Sequence, residues 1–234
     1  MYRVDKLQVS SFAPPNRVLD LYLFINPIGY ECYKFEQEIN RFITEAPCKI
    51  NYKILPYHNI KTMSEYMHRL GIENGDFNYR NQLYLTVYQV SLAYKAAMMQ
   101  GCKRGRKFLF ALQRALHQDK IPISEELVFR TADKEGLDLA EFKEDHYSRL
   151  TKDAYTTDQH VAQEMGITST PSLVIFDNLS EDYGIMVQNE ITTAALLNLV
   201  KQKNKPRSTN CKKKQHTHGD HMHAVKWQRH SNES

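Results

Sequence analysis

The sequence predicts an α/β fold interrupted by a block of helices and followed by an unstructured tail. Three observations carry this: a strand, helix, strand succession over residues 18–55, a central stretch whose apolar residues recur at helical spacing, and a helix, strand, strand, helix succession over 152–200.

Residues 18–25 are a run of β-formers ending at the breaker cluster Asn26-Pro27-Ile28-Gly29, and so read as a buried strand. From Glu31 the pattern changes, with Phe35, Ile39, Phe42 and Ile43 on one helical face until Pro47. Residues 48–55 alternate and stop at Pro56. A βαβ unit this short implies parallel pairing.

A short helix is expected over 62–70, a turn or loop over 71–78 and a long helix over 81–100. Gly101 and Gly105 are expected to break it from a second helix through Phe108, Leu109, Leu112 and Leu116. Ser124 and Asp138 can cap two more helices, the second over 139–147. A helix over about 152–165 then leads through Gly166 to Pro171, strands follow over 172–176 and 184–188, and Thr192 or Thr193 can cap a last helix through Leu196, Leu197 and Val200.

The expected organisation is one unit formed by residues 17–56 and 150–203, a helical insertion over 57–149, and a basic, histidine-rich tail over 204–234. The chain has 234 residues and a formal charge of +4, but the tail alone carries +5, so the body is at −1 and shows no basic bias toward nucleic acid. Few large apolar residues occur in the tail, so it is expected to be disordered. The longest apolar run, residues 21–25, is strand-sized, and residues 1–15 do not read as a signal peptide. No membrane partner and a cytoplasmic location are expected. Cys32, Cys48, Cys102 and Cys211 lie far apart, as free thiols of a reducing compartment do.

The order β, α, β, helical block, α, Thr-Pro-strand, strand, helix resembles the thioredoxin-like fold with the helical insertion of the DsbA family. In that family the first strand runs into a Cys-x-x-Cys motif at a helix N-terminus, and a cis-proline loop lies across from it. Residues 24–32 (Phe-Ile-Asn-Pro-Ile-Gly-Tyr-Glu-Cys) stand in the first place, and Thr170-Pro171-Ser172-Leu173-Val174 in the second. Residues 9–15 (Val-Ser-Ser-Phe-Ala-Pro-Pro) with Phe24-Ile25-Asn26-Pro27, Leu92-Ala93-Tyr94-Lys95-Ala96-Ala97 with Gln100-Gly101, and Leu139 to Asp145 with Phe142-Lys143-Glu144-Asp145 are similar to the SpxH/YjbH adaptor family. This resemblance implies binding of the transcription regulator Spx and its presentation to the ClpXP protease, with no cofactor required.

The redox motif departs from the family pattern: Gly29 stands where the first cysteine would be, followed by Tyr30 and Glu31, and only Cys32 remains. Dithiol exchange needs an activated attacking thiolate and a second thiol to resolve the mixed disulfide. No catalytic residue is therefore assigned, although a cytoplasmic thiol-disulfide oxidoreductase or isomerase of the DsbA type is the alternative. Cys32 reads as a small core residue that could still form a mixed disulfide or sulfenic acid. For Pro171 the resemblance implies a cis peptide whose preceding residue, Thr170, presents its backbone to an extended partner; the contrasting reading is a proline that merely starts an edge strand.

In the tail, His216, His218, His221 and His223 lie close enough to bind Zn²⁺, Cu²⁺ or Ni²⁺, and the alternative is a solvated segment with adventitious metal affinity. The run Lys212-Lys213-Lys214 reads as a solvated charge cluster.

Overall fold

A computed structural model describes residues 16–72, 76–179, 184–188, 191–202 and 222–225. Strand β1 (Val18–Ile25), helix α1 (Tyr30–Glu45) and strand β2 (Lys49–Pro56) form the expected βαβ unit, with β1 and β2 parallel in the register Leu21 to Tyr52 and Leu23 to Ile54. Helices α2 (Ile60–Arg69), α3 (Phe77–Met99), α4 (Cys102–His117), α5 (Glu125–Lys134) and α6 (Leu139–Tyr147) make up the helical block. The chain returns through α7 (Arg149–Glu164), β3 (Ser172–Asp177), β4 (Gly184–Gln188) and α8 (Thr193–Gln202). A final strand, β5 (Met222–Val225), completes a mixed sheet in the order β2-β1-β3-β4-β5, in which β3, β4 and β5 run antiparallel to their neighbours.

Alternation along β1 decides the layers. Leu19, Leu21, Leu23 and Ile25 face α1 and α8, packing with Phe35, Ile39, Phe42, Leu196 and Val200. Phe24 points to the other face and packs with Leu55, Val174, Phe176, Ala162 of α7 and Met165 just beyond its end. A separate core inside the helical block joins Met63, Val90, Ala97, Phe108, Leu112, Val128 and Phe142. The α8 side of the sheet is held by a buried ion pair at the β1 and β3 ends: Arg17 Nη2 donates to Asp177 Oδ2 at 2.7 Å, and its Nη1 to the Val200 carbonyl at 2.8 Å. Removing one partner would leave the other charge buried, at a cost of about 3–5 kcal/mol.

Local signals explain the helix starts. Asn59 closes a capping box with Thr62, Ser124 Oγ accepts from the Leu127 N–H at 3.1 Å, and Asp138 accepts from Ala140 and Glu141 at 3.0 Å. Asp76 accepts from the Tyr79 N–H, which starts α3 four residues earlier than the apolar spacing predicts.

Two expectations are corrected. Gly101, at φ +118°, does separate α3 from α4, but Gly105 lies inside α4. There it permits close helix contact, since a Cβ at 105 would stand 2.6 Å from Met98 Sδ and 3.0 Å from Met98 Cα. The tail is also not structureless throughout: residues 222–225 pair with the open edge of β4, Val225 opposite Gly184 and Met222 opposite Val187. Edge pairing is made by backbone N–H and C=O groups, which composition does not report.

Among the described residues no helix is long and apolar enough to cross a membrane.

Candidate partner-binding site at the degenerate redox motif

Strand β1 ends at Ile25, and the backbone turns through Asn26 to Gly29, the N-cap of α1. The turn is closed by the Gly29 N–H donating to the Asn26 carbonyl at 3.0 Å and by the Ile28 N–H donating to Asn26 Oδ1 at 3.1 Å. Gly29 has extended backbone angles that any residue can adopt, and it supplies no side-chain cap to the first turn of α1. A Cβ built on it would lie 3.4 Å from Cys32 Sγ, so the two positions keep the mutual approach that a dithiol motif requires.

Cys32 is 1% exposed, and its sulfur accepts the Asn26 N–H at 3.3 Å. Burial pushes its pKa up to about 12, with the carboxyl of Glu36 adding to the rise; the Asn26 N–H, the Arg69 guanidinium and the Thr170 hydroxyl oppose it without overcoming the loss of water. The thiol is therefore neutral at physiological pH and a poor nucleophile.

One helical turn further, Glu36 is wholly buried and accepts a hydrogen bond from Gln113 Nε2 at 2.7 Å across to α4. Burial raises its pKa to about 8, so the group is mostly protonated at neutral pH.

The opposite wall comes from α2 and the loop before β3. Thr170–Pro171 is a cis peptide, as the resemblance implies. Thr170 is only 5% exposed, and its carbonyl accepts from Arg69 Nη2 at 3.0 Å. One of the two backbone groups expected to meet an extended partner is thus engaged within the protein. Ser172 Oγ donates to the Ser169 carbonyl at 2.7 Å and accepts from Gln188 Nε2 at 3.1 Å, which fixes the loop to β4. Between the walls lies a cavity of about 130 Å³ lined by Asn26, Gly29, Cys32, Tyr66, Arg69 and Thr170, with the half-exposed Tyr30 and Leu70 at its rim.

The structure thus brings Gly29, Tyr30, Glu31, Cys32 and Thr170 to one cavity, with Pro171 next in the chain. Arg69, Tyr66 and Glu36 were not marked by the sequence. Glu36 is detectable in principle, because it stands four residues after Cys32 on the same helical face; Arg69 carries no local signal. Cys48 is half-buried and Cys102 exposed, and both are free thiols. His216, His218 and His221, Lys212-Lys213-Lys214 and Cys211 lie outside the described residues, and His223 is placed within β5 opposite Met186. Among the described residues no three His, Cys, Asp or Glu side chains gather as metal ligands.

A family model described as Thioredoxin matches residues 22–198. The chain is 30% identical over 214 residues to the ClpXP adapter protein SpxH of Bacillus licheniformis, covering 83% of this chain and 71% of that protein. It is also 30% identical over 189 residues to SpxH of Bacillus subtilis, covering 74% of this chain and 63% of that protein, and so spans less than two thirds of it. Among solved structures it is similar to a thioredoxin-like oxidoreductase from Silicibacter pomeroyi (TM-score 0.51, 16% identity, 81% of this chain and 88% of that one). It is equally similar to the oxidoreductase DsbA from Xylella fastidiosa (TM-score 0.51, 15% identity, 82% and 89%). Those two likenesses speak for the fold alone. On the family model and the SpxH relatives together, the chain belongs to the thioredoxin family, in the branch of the ClpXP adapter proteins named SpxH.

Proposed function

We propose that this protein is a cytoplasmic adaptor that binds an Spx-like transcription regulator and promotes its degradation by the ClpXP protease, which it engages only indirectly. The observation that carries the reading is the condition of the redox motif. Gly29 replaces the attacking cysteine, and burial holds the remaining Cys32 thiol near pKa 12, while a small cavity stays open beside the cis-proline loop. An adaptor needs no bond chemistry, only higher affinity for the partner conformation that exposes a degradation signal.

The alternative, a thiol-disulfide oxidoreductase or isomerase, draws on the DsbA-like fold, but a lone neutral thiol weighs against it. The adaptor role requires no cofactor. Zinc uptake by His216, His218, His221 and His223 is a separate proposal, checked by equilibrium dialysis of the whole chain against a variant lacking residues 204–234.

The test is turnover of purified Spx by ClpXP with and without this protein. Faster loss of Spx in its presence is expected; unchanged turnover would sink the adaptor reading.

A further inference from the structure

The cavity between the α1 N-terminus and the cis-proline loop is lined with hydrogen-bond donors that lack acceptors. Arg69 Nη2 is engaged by the Thr170 carbonyl and lies 3.9 Å from Glu65, but its Nε and Nη1 make no hydrogen bond among the described residues. Asn26 is 2% exposed, and its Nδ2 is buried without a partner among the described residues while its Oδ1 is taken by Ile28. The first turn of α1 receives no side-chain acceptor from Gly29, and its free N–H groups add the partial positive charge of a helix start. Of the acids, Glu31 lines the cavity and is held by Lys34 at 3.2 Å, Glu65 is shared between Lys61 and Arg69 at 3.9 Å each, and Glu36 lies buried below Cys32 and is mostly protonated at neutral pH.

We propose that this cavity is a carboxylate-binding subsite, with Arg69 as its cation, that receives an acidic side chain from an extended segment of the partner protein. The Arg69 guanidinium on one side of the cavity and the α1 N-terminal N–H groups on the other are the complement of a carboxylate, which only accepts. A cavity of about 130 Å³ holds a group of acetate size. The occupant is part of a chain because an open groove of about 710 Å³ adjoins it at Arg69, lined also by Lys61, Ser64, Glu65, His68, Thr168 and Ser169, where Glu65 is countered by Lys61 and Arg69. This rests on the reading that the partner docks at this cleft, and it adds what the cleft selects.

The test is an NMR titration of the full ¹⁵N-labelled chain with a terminally blocked peptide, Gly-Ala-Glu-Ala-Gly, and with its Gln counterpart. The Glu peptide is expected to cause saturable shifts at the amides of Tyr30, Glu31 and Thr170, and the Gln peptide to bind at least about tenfold more weakly. Arg69→Gln is expected to abolish the response. Gly29→Asp is expected to abolish it too while keeping or raising the melting temperature, because the new carboxylate both fills the subsite and caps α1. Equal binding of the two peptides, no saturable shift at those amides, or a wild-type response from Gly29→Asp would each overturn the subsite. The titration contains neither regulator nor protease, so its failure leaves the adaptor reading standing, and failure of the turnover assay leaves its result intact.

Discussion

The two walls of the cleft have diverged in what they can do. On the α1 wall the attacking thiol is absent, and the residues below it, Cys32 and Glu36, are dry and neutral at physiological pH. On the opposite wall Arg69 and the loop through Thr170 keep a charged, fixed and partly open surface. Nucleophile activation depends on a thiol at position 29 and on the electrostatics around it, whereas recognition depends on the shape of the cleft, the Arg69 cation and backbone N–H groups. Because the two properties rest on different atoms, one can be lost while the other is retained.

The largest expected effect concerns the α1 wall. At pH 8 a thiol with a pKa of about 12 is ionised to only about one part in ten thousand. Iodoacetamide should therefore alkylate exposed Cys102 in the native protein and leave Cys32 unmodified, as read by peptide mass spectrometry. Labelling of both at similar rates would erase the contrast between the walls.

Restoring the missing thiol should sharpen it. In Gly29→Cys the new Cβ stands within 3.4 Å of Cys32 Sγ, a reach that a second sulfur can close. The variant is expected to form an internal disulfide under mild oxidation and to reduce insulin above the wild-type background. A variant that stays dithiol under oxidant would mean that the α1 wall lost more than one atom.

A smaller effect is expected from Glu36. Its folded pKa of about 8 lies above the unfolded value near 4.5, so the folded state holds an extra proton between them. Stability from this group is full below about pH 4.5 and is lost as pH rises toward 8. The wild-type melting temperature should fall across that window by an amount on the order of several degrees more than that of Glu36→Gln, which does not titrate. Parallel curves for the two proteins would show that the buried acid is ionised throughout.

Much of the fold is legible in the sequence where local chemistry decides it. The β1 run ends at a breaker cluster and α6 begins at an Asp cap, and both elements fall where the pattern puts them. Gly105 is misleading because its role is tertiary: its missing Cβ makes room for Met98 of a neighbouring helix. Strand β5 is hidden because an open edge accepts almost any extended segment. At the site, the order of Gly29 to Cys32 and Thr170-Pro171 is readable, but the bond from Arg69 to Thr170 spans 101 residues and exists only once α2 has crossed to the loop.

The central claim is that the protein acts through its surface and not through its thiol. It is tested most directly by the rate of Spx degradation by ClpXP with wild type and with Cys32→Ser, under identical reducing conditions. Equal acceleration by both proteins is the expected result. Acceleration by wild type that disappears in a folded Cys32→Ser would contradict the claim and return the function to sulfur chemistry.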